Sequence, residues 1–312
     1  MKDKKAKVLI TGGSGWIASN LIELLNHENL DIHVISRNNI KSSNNITFHK
    51  VNEEYEEEGL NHIFKGVDVL VHLAGIAHQK EKNASKYKLI NEVLTYKLAK
   101  LSSKNKVKRF IFISSAKVKE LNNDNEHILN RIFKLHKGKD FYATSKFNAE
   151  KLLNTILDDN MEIICLRPPL VYGEGVKANF NLLMRAASYR FPLPLRGLKN
   201  VRKMVFIGNL VACIKEIINS PKTLKGSYYV CDDFDISTSD LYDLILIKKN
   251  RSKLLNFYLP KPLLSFICTL FFQRNVFKKL SDEFLIDNNE IKNKLGWEPP
   301  FDKTQVFNFL EK

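Results

Sequence analysis

The amino-acid sequence predicts an α/β fold, a doubly wound parallel sheet followed by a smaller mixed α/β region at the carboxy-terminal end. Two observations support this prediction. Short apolar strand patterns alternate with amphipathic helix patterns as far as residue 167, and strands that are apolar on both faces are typical of parallel sheets covered by helices. Two prolines, Pro168 and Pro169, then end this rhythm. The 312 residues, 44% of them hydrophobic, are enough to bury a substantial core.

The strand–helix repeats occupy the first part of the chain. Each predicted strand is a run of about five apolar or β-branched residues. The predicted strands cover residues 7–11, 31–36, 48–52, 67–73, 109–114 and 162–167. The clearest helix patterns cover residues 16–26 and 84–104, the second with leucines at helical spacing. Further helices are predicted around residues 176–189 and 208–219, and a late strand at 227–231.

A glycine-rich turn joins the first predicted strand to the first helix. Gly13, Gly15 and Ala18 match the dinucleotide fingerprint G-x-G-x-x-G/A at this strand–helix junction. Glycine lets the backbone approach a pyrophosphate, and the helix amino terminus supplies free N–H groups and partial positive charge. We therefore predict a Rossmann-type NAD(P)-binding domain over residues 1–168. The residues of the turn expected against the cofactor are Gly12, Gly15, Trp16 and Ile17.

The end of the second predicted strand indicates which dinucleotide binds. NAD sites usually place Asp or Glu there for the ribose 2′-hydroxyl, whereas NADP sites have a basic residue for the 2′-phosphate. This chain has Ser36 followed by Arg37 and no carboxylate, and a guanidinium suits a phosphate. The sequence therefore favours NADP(H) over NAD(H). Leu73, Ala74 and Gly75 end the fourth predicted strand with residues small enough for the backbone to approach the adenosine side of the cofactor.

A Tyr-x-x-x-Lys pair, Tyr142 and Lys146, follows 27 residues after Ser115. Four residues make about one helical turn, so the two side chains share a helix face. An ammonium ~4 Å from a phenol stabilises the phenolate by roughly 4 kcal/mol at an effective dielectric of about 20. That attraction would move the tyrosine pKa from about 10 towards neutrality, where the phenol can exchange a proton with a sugar hydroxyl. The pattern indicates redox chemistry at a carbon that bears oxygen.

Together these motifs resemble the extended short-chain dehydrogenase/reductases, and within them the NAD-dependent epimerase/dehydratase family. The resemblance rests on the glycine-rich turn, His-Leu-Ala-Gly at 72–75, Ser-Ser-Ala at 114–116, the Tyr-x-x-x-Lys pair and Leu-Arg-Pro-Pro-Leu-Val-Tyr-Gly at 166–173. It implies that Ser115 hydrogen-bonds the reacting sugar oxygen and that Tyr142 is the general acid/base. It also implies that Lys146 binds the nicotinamide ribose and lowers the tyrosine pKa, with Pro168 beside the nicotinamide.

The resemblance further implies that residues 169–312 form the substrate region, with some segments returning to the Rossmann sheet. Asn179 and Phe180 resemble the family's contacts to the nucleotide diphosphate and uracil, and Arg202 resembles its diphosphate-binding arginine. The run from 175 to 195 looks like the branch of UDP-glucose 4-epimerase-like proteins and UDP-4-keto-6-deoxy-N-acetylhexosamine 4-reductases. A homodimer is expected from the resemblance alone.

These features favour an NADPH-dependent 4-ketoreductase of a UDP-4-keto-6-deoxy-N-acetylhexosamine that serves surface polysaccharide biosynthesis. A UDP-glucose or UDP-N-acetylglucosamine 4-epimerase with bound NAD would use the same Ser115, Tyr142 and Lys146. A lipid-linked sugar substrate is a further variant. An alternative of a different class is a non-catalytic protein that senses NADP(H), although a sensor has no need of a lysine-activated phenol.

Composition limits the partners and the compartment. The net charge of +15 permits a polyanionic partner, but no basic run with interleaved aromatics resembles a nucleic-acid footprint, so no nucleic acid is expected. The amino terminus lacks a signal-peptide pattern, and the four cysteines lack the spacing of a metal site or disulfide framework. We therefore predict a cytoplasmic protein without a metal. The stretch 119–139 is predicted to be a loop.

An apolar stretch lies within residues 261–279, flanked by lysines and an arginine. It is too short to span a membrane, which needs about 20 apolar residues. We interpret it first as a helix buried against its own domain or a partner subunit. Its basic flanks would also permit peripheral contact with an anionic membrane surface.

Overall fold

The computed structural model describes residues 5–39, 45–51, 57–77, 83–121, 140–176, 179–271, 277 and 280–311. Most of the stretch 119–139 that was predicted to be a loop lies outside these residues. The chain divides into two compact units. The first unit comprises Met1–Pro168, Val211–Val230 and Asn289–Trp297, and the second comprises Pro169–Leu210, Cys231–Asn288 and Glu298–Lys312.

Nine strands occur in the part of the chain that the structure describes. In chain order they are β1 (Ala6–Thr11), β2 (Leu30–Ser36), β3 (Ile46–Lys50), β4 (Val69–His72), β5 (Arg109–Ile113), β6 (Glu162–Arg167), β7 (Leu170–Tyr172), β8 (Met204–Phe206) and β9 (Gly226–Tyr229). Seven of them form one parallel sheet in the order β3-β2-β1-β4-β5-β6-β9. The strand order reverses between β1 and β4, the kind of switch point where open α/β sheets bind ligands. The prediction of a doubly wound parallel sheet is confirmed.

Eleven α-helices connect or follow these strands among the described residues. They are α1 (Trp16–Leu25), α2 (Glu57–Phe64), α3 (Ala84–Tyr87), α4 (Leu94–Lys104), α5 (Phe141–Leu153), α6 (Asn179–Ser188), α7 (Ile207–Asn219), α8 (Thr238–Lys248), α9 (Lys261–Phe271), α10 (Asn289–Leu295) and α11 (Lys303–Glu311). Short 3₁₀ helices cover Ala116–Leu121 and Lys253–Leu255. None of the described helices is long and apolar enough to cross a membrane.

The helix predicted over residues 84–104 is not one continuous α-helix. A π-helical segment, Lys88–Val93, separates α3 from α4. The wider π turn includes Asn91, a fully buried residue whose amide side chain bonds to groups outside its own helix. Single π turns inside α-helices are frequent at functional sites. The sequence pattern could not show this, because the apolar spacing on both sides remains helical.

The core of the first unit lies between the sheet and helices α2, α4 and α5. Its largest fully buried side chains include Phe64, Phe110 and Phe112. Buried Arg109 at the start of β5 pairs with Glu162 at 2.6 Å. The guanidinium also donates to the carbonyl oxygens of Ile217, Ser220 and Lys222. These bonds attach residues 217–222 to the sheet, because a buried guanidinium needs acceptors for all its N–H groups.

The second unit contains a two-stranded parallel sheet, β7–β8, and is organised around the buried carboxylate of Asp232. The Asp232 carboxylate accepts hydrogen bonds from Tyr172 Oη at 2.7 Å, Asn209 Nδ2 at 2.7 Å and Phe206 N at 3.0 Å. Asn209 also exchanges two hydrogen bonds with the backbone of Phe301. Burial raises the pKa of Asp232 to about 6. One carboxylate thus connects β7, β8 and the start of the last segment of the chain.

Candidate active site

The glycine-rich turn lies directly against the ends of two neighbouring strands. Gly12 has φ 73°, and a Cβ at this position would lie 2.6 Å from Ala74 N. A Cβ on Gly13 would lie 2.2 Å from Val34 Cγ1. Both distances are shorter than any tolerated carbon contact, so the turn requires glycine at these positions. The backbone of the turn is therefore held where the carboxyl ends of β1, β2 and β4 meet.

The start of α1 fits the negatively charged pyrophosphate of a dinucleotide. Gly15 caps the helix in an extended conformation and without a side-chain hydrogen bond, and the first turn contains no acidic residue. The first N–H groups of the helix and its partial positive charge are thus not neutralised by a carboxylate of this first turn. Trp16 and Ile17 in this turn are half-buried. The residues present fit the predicted cofactor.

The end of β2 has the residues from which NADP(H) was predicted. Ser36 is buried, and its Oγ accepts a hydrogen bond from Asn38 N at 3.3 Å. Arg37 is exposed. A cation therefore follows the strand at the point where Rossmann proteins discriminate the ribose 2′ substituent. The preference for NADP(H) stays a prediction.

A buried histidine fixes the backbone beside the glycine turn. His72 Nδ1 lies 2.7 Å from Thr11 Oγ1, and its Nε2 lies 2.9 Å from Thr95 Oγ1. Because Thr95 Oγ1 donates its own proton to Asn91 O, it can only accept from Nε2, and Nδ1 then accepts from Thr11. Burial and the charge of Lys146 lower the pKa of His72 to about 3. His72 is thus a neutral residue that positions the strand ends.

Asn91 joins the loop after β4 to the helix that bears Tyr142. Its Oδ1 accepts from Ile76 N at 2.8 Å, and its Nδ2 donates to Ile76 O at 3.1 Å and to Ser145 Oγ at 2.9 Å. Ser145 Oγ in turn donates to Tyr142 O at 2.9 Å. The half-buried Leu73 and Ala74 and the exposed Gly75 precede this anchored residue. A single amide side chain therefore fixes the predicted cofactor loop relative to α5.

The structure brings Ser115 and Tyr142 together. Ser115 follows β5 and is only 6% exposed, and Tyr142 lies in the first turn of α5. The Ser115 hydroxyl lies close enough to the Tyr142 phenol to lower the phenol's pKa as a hydrogen-bonding neighbour. Asp140 caps α5 by accepting from Ala143 N at 3.1 Å, and its other oxygen lies 2.5 Å from Lys117 Nζ. The start of the helix is thus fixed on the segment that follows Ser115.

Lys146 lies one turn after Tyr142 and is buried beneath the β4 loop. Its Nζ donates to Ile113 O at 2.7 Å and lies 4.5 Å from the centre of the Phe112 ring. A Cβ on Gly75 would come within 3.4 Å of this ammonium, so glycine lets the loop pass close to it. Burial lowers the pKa of Lys146 to about 8. The group remains largely protonated at neutral pH.

The predicted lowering of the tyrosine pKa towards neutrality is wrong for this structure. Burial is the largest influence and raises the pKa of Tyr142 to about 12, and the hydrogen bond from Ser115 offsets only part of that rise. The sequence argument assumed an ammonium close to the phenol, whereas Lys146 Nζ bonds to Ile113 O. Desolvation of the phenolate therefore outweighs its stabilisation.

Pro168 is buried, directly follows β6 and lies next to residues 114–116. Its carbonyl oxygen accepts from Ala116 N at 2.8 Å, and Ser114 N donates to Leu166 O at 2.7 Å. These bonds place the predicted nicotinamide-facing proline beside Ser115. The first unit thus collects the predicted cofactor residues and the three predicted catalytic residues at the carboxyl ends of its strands.

The predicted substrate residues lie in the second unit. Asn179 and Phe180 are the first residues of α6, and the structure describes their backbone only. Arg202 is half-buried, and its backbone forms bridges with Ile236 and Phe284. Burial lowers the pKa of the Arg202 guanidinium, and the charge of Asp282 opposes this effect.

Sequence reasoning missed Asn91. A signal was present, because Asn91 occupies a helical stripe with Tyr87, Leu94, Thr95 and Leu98, all of which are buried. A polar side chain on such a stripe needs partners inside the protein. Its partners could not be identified from the sequence, since Ser145 lies 54 residues away.

Comparison with known protein families agrees with this arrangement. The sequence profile of the NAD dependent epimerase/dehydratase family matches residues 8–231, well over half of the chain. The chain belongs to this family. The family assignment places it among the extended short-chain dehydrogenase/reductase enzymes and confirms the prediction of an enzyme. The alternative of a non-catalytic sensor is set aside.

Two curated members of the epimerase/dehydratase family illustrate the range of similarity. A UDP-glucose 4-epimerase from Vibrio cholerae is 33% identical over 306 residues, which cover 94% of this chain and 90% of the relative. An N-acetyl-alpha-D-glucosaminyl-diphospho-ditrans,octacis-undecaprenol 4-epimerase from Escherichia coli O157:H7 is 26% identical over 266 residues, covering 82% of this chain and 76% of the relative.

Solved structures of family members share the fold. The UDP-N-acetylglucosamine 4-epimerase from Bacillus cereus matches with a TM-score of 0.71 and 16% identity, covering 98% of this chain and 96% of that one. The Bordetella bronchiseptica enzyme WbmG, in complex with NAD and UDP, matches with a TM-score of 0.73 and 16% identity, covering 98% and 94%. At this level of identity the likeness shows the fold.

Proposed function

We propose that this protein reduces the 4-keto group of a UDP-linked 6-deoxy-N-acetylhexosamine with NADPH, as a step in surface polysaccharide biosynthesis. The observation that supports the chemistry is that the Ser115 and Tyr142 hydroxyls are neighbours, with buried Lys146 one helical turn further along α5. These are the groups required to donate a proton to an oxygen that is gaining an electron pair.

The protonation state of Tyr142 is the one that a reduction requires. A pKa of about 12 keeps the phenol protonated at neutral pH, so Tyr142 begins the reaction as a proton donor. NADPH held by the glycine turn and residues 73–75 would supply the hydride for C4 of the sugar. Ser115 donates a hydrogen bond to the developing oxyanion, and Tyr142 transfers its proton to the same oxygen. Lys146 holds its ammonium at the carboxyl end of β5, where its N–H groups can bind ribose hydroxyls.

In this proposal different residues bind the cofactor and the sugar nucleotide. The dinucleotide is bound through the glycine turn, Ser36, Arg37 and residues 73–75 after β4. The UDP moiety is bound through Asn179, Phe180 and Arg202. UDP as the nucleotide is supported by the Vibrio cholerae relative, whose name specifies UDP-glucose, and by the WbmG complex with UDP.

A spectrophotometric assay tests the reductase. The purified protein is mixed with UDP-4-keto-6-deoxy-N-acetylglucosamine in excess over NADPH or NADH, and absorbance at 340 nm is followed. We expect sustained oxidation of NADPH, at least tenfold faster than of NADH at equal subsaturating concentrations. An absence of consumption with either cofactor would refute the reductase, and faster use of NADH would refute the cofactor preference.

A second candidate is a UDP-hexose or UDP-N-acetylhexosamine 4-epimerase with tightly bound NAD. The 33% identity to a UDP-glucose 4-epimerase over nearly the whole chain favours it. The same Ser115 and Tyr142 would then first remove and later return the proton of the 4-hydroxyl. Incubation with UDP-glucose and UDP-N-acetylglucosamine, followed by separation of the C4 epimers, distinguishes the two. Epimer formation without added cofactor would establish the epimerase.

A further inference from the structure

The excess positive charge of the chain is confined to two stretches of the second unit. Residues 175–210 and 244–281 together contain 15 Lys and Arg and no Asp or Glu. The rest of the chain contains 34 basic and 34 acidic residues. The whole net charge of +15 therefore comes from these two stretches. A merely lysine-rich composition would spread the excess charge evenly along the chain.

The structure places residues 193–196 of the first stretch beside residues 253–257 of the second. Leu193 forms a parallel bridge with Asn256, and Leu193 N donates to Leu255 O at 2.8 Å. Arg196 Nη2 donates to Lys253 O at 3.0 Å. The two positive segments thus form one surface, although their like charges repel. The exposed cations on and next to this pairing are Arg190, Arg196, Lys199, Lys253 and Lys261.

The same two stretches carry most of the exposed apolar side chains. Over the described residues, thirteen large hydrophobic side chains are exposed, and eight of them lie here. They are Tyr189, Phe191, Leu254, Phe257, Tyr258, Leu263, Phe266 and Leu270. Coincidence of exposed aromatic and leucine side chains with unbalanced positive charge is unusual on a surface that faces only water.

Helix α9 shows how this surface is arranged. Leu264 and Cys268 face inward, with 3% and 5% of their surface exposed. Leu263, Phe266 and Leu270 follow the i, i+3, i+7 spacing of one helix face and are 46%, 63% and 65% exposed. The helix is therefore apolar on its outer face as well as its inner one. Burial against its own unit therefore explains the apolar residues of the inner face but not those of the outer face.

We propose that this docking surface, residues 189–199 and 253–270, binds the surface of an anionic lipid bilayer. The leucine and aromatic side chains would enter the headgroup boundary while the cations contact lipid phosphates, as in other interfacial helices. A second copy of the chain would bring identical cations against each other, so the charge favours lipid. Asp235, Asp240 and Asp243 line one cavity with Arg196 and Lys199, and the Asp243 carboxylate also accepts from Asn256 Nδ2 at 2.8 Å, so carboxylates lie at this edge of the surface's cations. The proposal does not depend on the reaction catalysed.

Vesicle sedimentation with the full chain tests the docking surface. Vesicles of phosphatidylcholine with 30 mol% phosphatidylglycerol are compared with vesicles of pure phosphatidylcholine. Both are tested at about 0.1 M salt, where the Debye length is near 10 Å. We expect binding to the anionic vesicles only, weakened by raised salt. The triple variant Leu263→Ser, Phe266→Ser, Leu270→Ser should reduce the partition coefficient at least tenfold. Leu157→Ser, which changes a 98% exposed leucine of the first unit, is the matched control and should bind as the wild type does.

A second variant keeps the test decisive if the triple variant does not fold. Lys253→Glu with Lys261→Glu changes exposed side chains only and should also reduce binding at least tenfold. Wild-type protein that stays in the supernatant, or variants that sediment like the wild type, would overturn the proposal. So would a wild-type dimer that the triple variant converts to monomers without any vesicle binding, because the surface would then join two copies of the chain.

Discussion

Lys146 in the first unit and Asp232 in the second are both buried ionisable groups whose pKa values are shifted by burial, but their surroundings differ. Both oxygens of Asp232 accept hydrogen bonds, from Tyr172, Asn209 and the backbone of Phe206. Lys146 has three N–H groups and, within the described residues, donates one to Ile113 O. A buried group whose hydrogen bonds are all made within the protein stabilises the fold. A buried group with N–H donors left over, beside a ligand-binding turn, can bind a ligand.

This difference shows that a shifted pKa does not by itself identify a catalytic residue. Asp232 has a raised pKa because a carboxylate at 1% exposure is poorly solvated, and its partners are all fixed groups of the second unit. The pKa values of Tyr142 and Lys146 are also shifted by burial, but these residues lie with Ser115 at the carboxyl ends of the sheet strands. The position in the fold and the unused hydrogen-bonding capacity make the distinction.

The largest expected effect comes from removing the proton donor. Tyr142→Phe should lower kcat by about 10³-fold, within the roughly 10²–10⁴-fold range of general acid catalysis, and leave the Kd for NADPH within about twofold. Stopped-flow or steady-state turnover and fluorescence titration measure the two quantities. Tyr96→Phe in α4, a half-buried tyrosine outside the site, is the matched control. Turnover at the wild-type rate in Tyr142→Phe would remove Tyr142 from the mechanism.

The next largest effect should fall on stability alone. Asp232→Ala leaves the buried polar atoms of Tyr172 and Asn209 without their acceptor, and should lower the free energy of unfolding by about 3 kcal/mol. Asp232→Asn keeps the shape and one acceptor oxygen, so its cost should be about half as large. Urea unfolding followed by circular dichroism measures both. A more than tenfold loss of kcat in folded Asp232→Ala protein would contradict the purely structural role of Asp232 that distinguishes it from Lys146.

Lys146 should impose a pH limit on activity. Its pKa is lowered to about 8, so the ammonium is present at pH 7 and is lost as pH rises through 8. If the charged form is needed, kcat/KM for the reduction should fall above pH 8, approaching tenfold per pH unit. The pH profile of Lys146→Arg, whose guanidinium stays charged, should lack this limb while its rate at pH 7 is lower. A flat wild-type profile to pH 10 would show that the ammonium is dispensable.

The smallest expected effect concerns Arg37 at the exposed edge of the cofactor site. Arg37→Ala should raise the Kd for NADPH about tenfold, the loss of one charge-assisted hydrogen bond of about 1.5 kcal/mol. The Kd for NADH should change less than twofold. Isothermal titration with both cofactors gives the comparison, and Arg190→Ala, another exposed arginine, is the control. Equal losses for NADPH and NADH would contradict the phosphate role.

The sequence determined the features that depend on neighbours along the chain. Strand and helix patterns, the glycine turn before α1 and the four-residue spacing of Tyr142 and Lys146 all follow from local geometry. The fold class and the family could therefore be predicted. Gly12 shows this directly, because its positive φ is required by the same turn that the motif describes.

Tertiary structure decided how the site groups are solvated and connected. Whether Tyr142 has a pKa of about 12 or one near neutrality depends on how much water and charge surround it, which no spacing encodes. The π turn that delivers Asn91 to Ile76 and Ser145, and the saturation of Asp232 by groups from β7, β8 and α7, join residues far apart in the chain. Desolvation and long-range hydrogen bonds arise only when those segments pack together, so they had to be read from the folded chain.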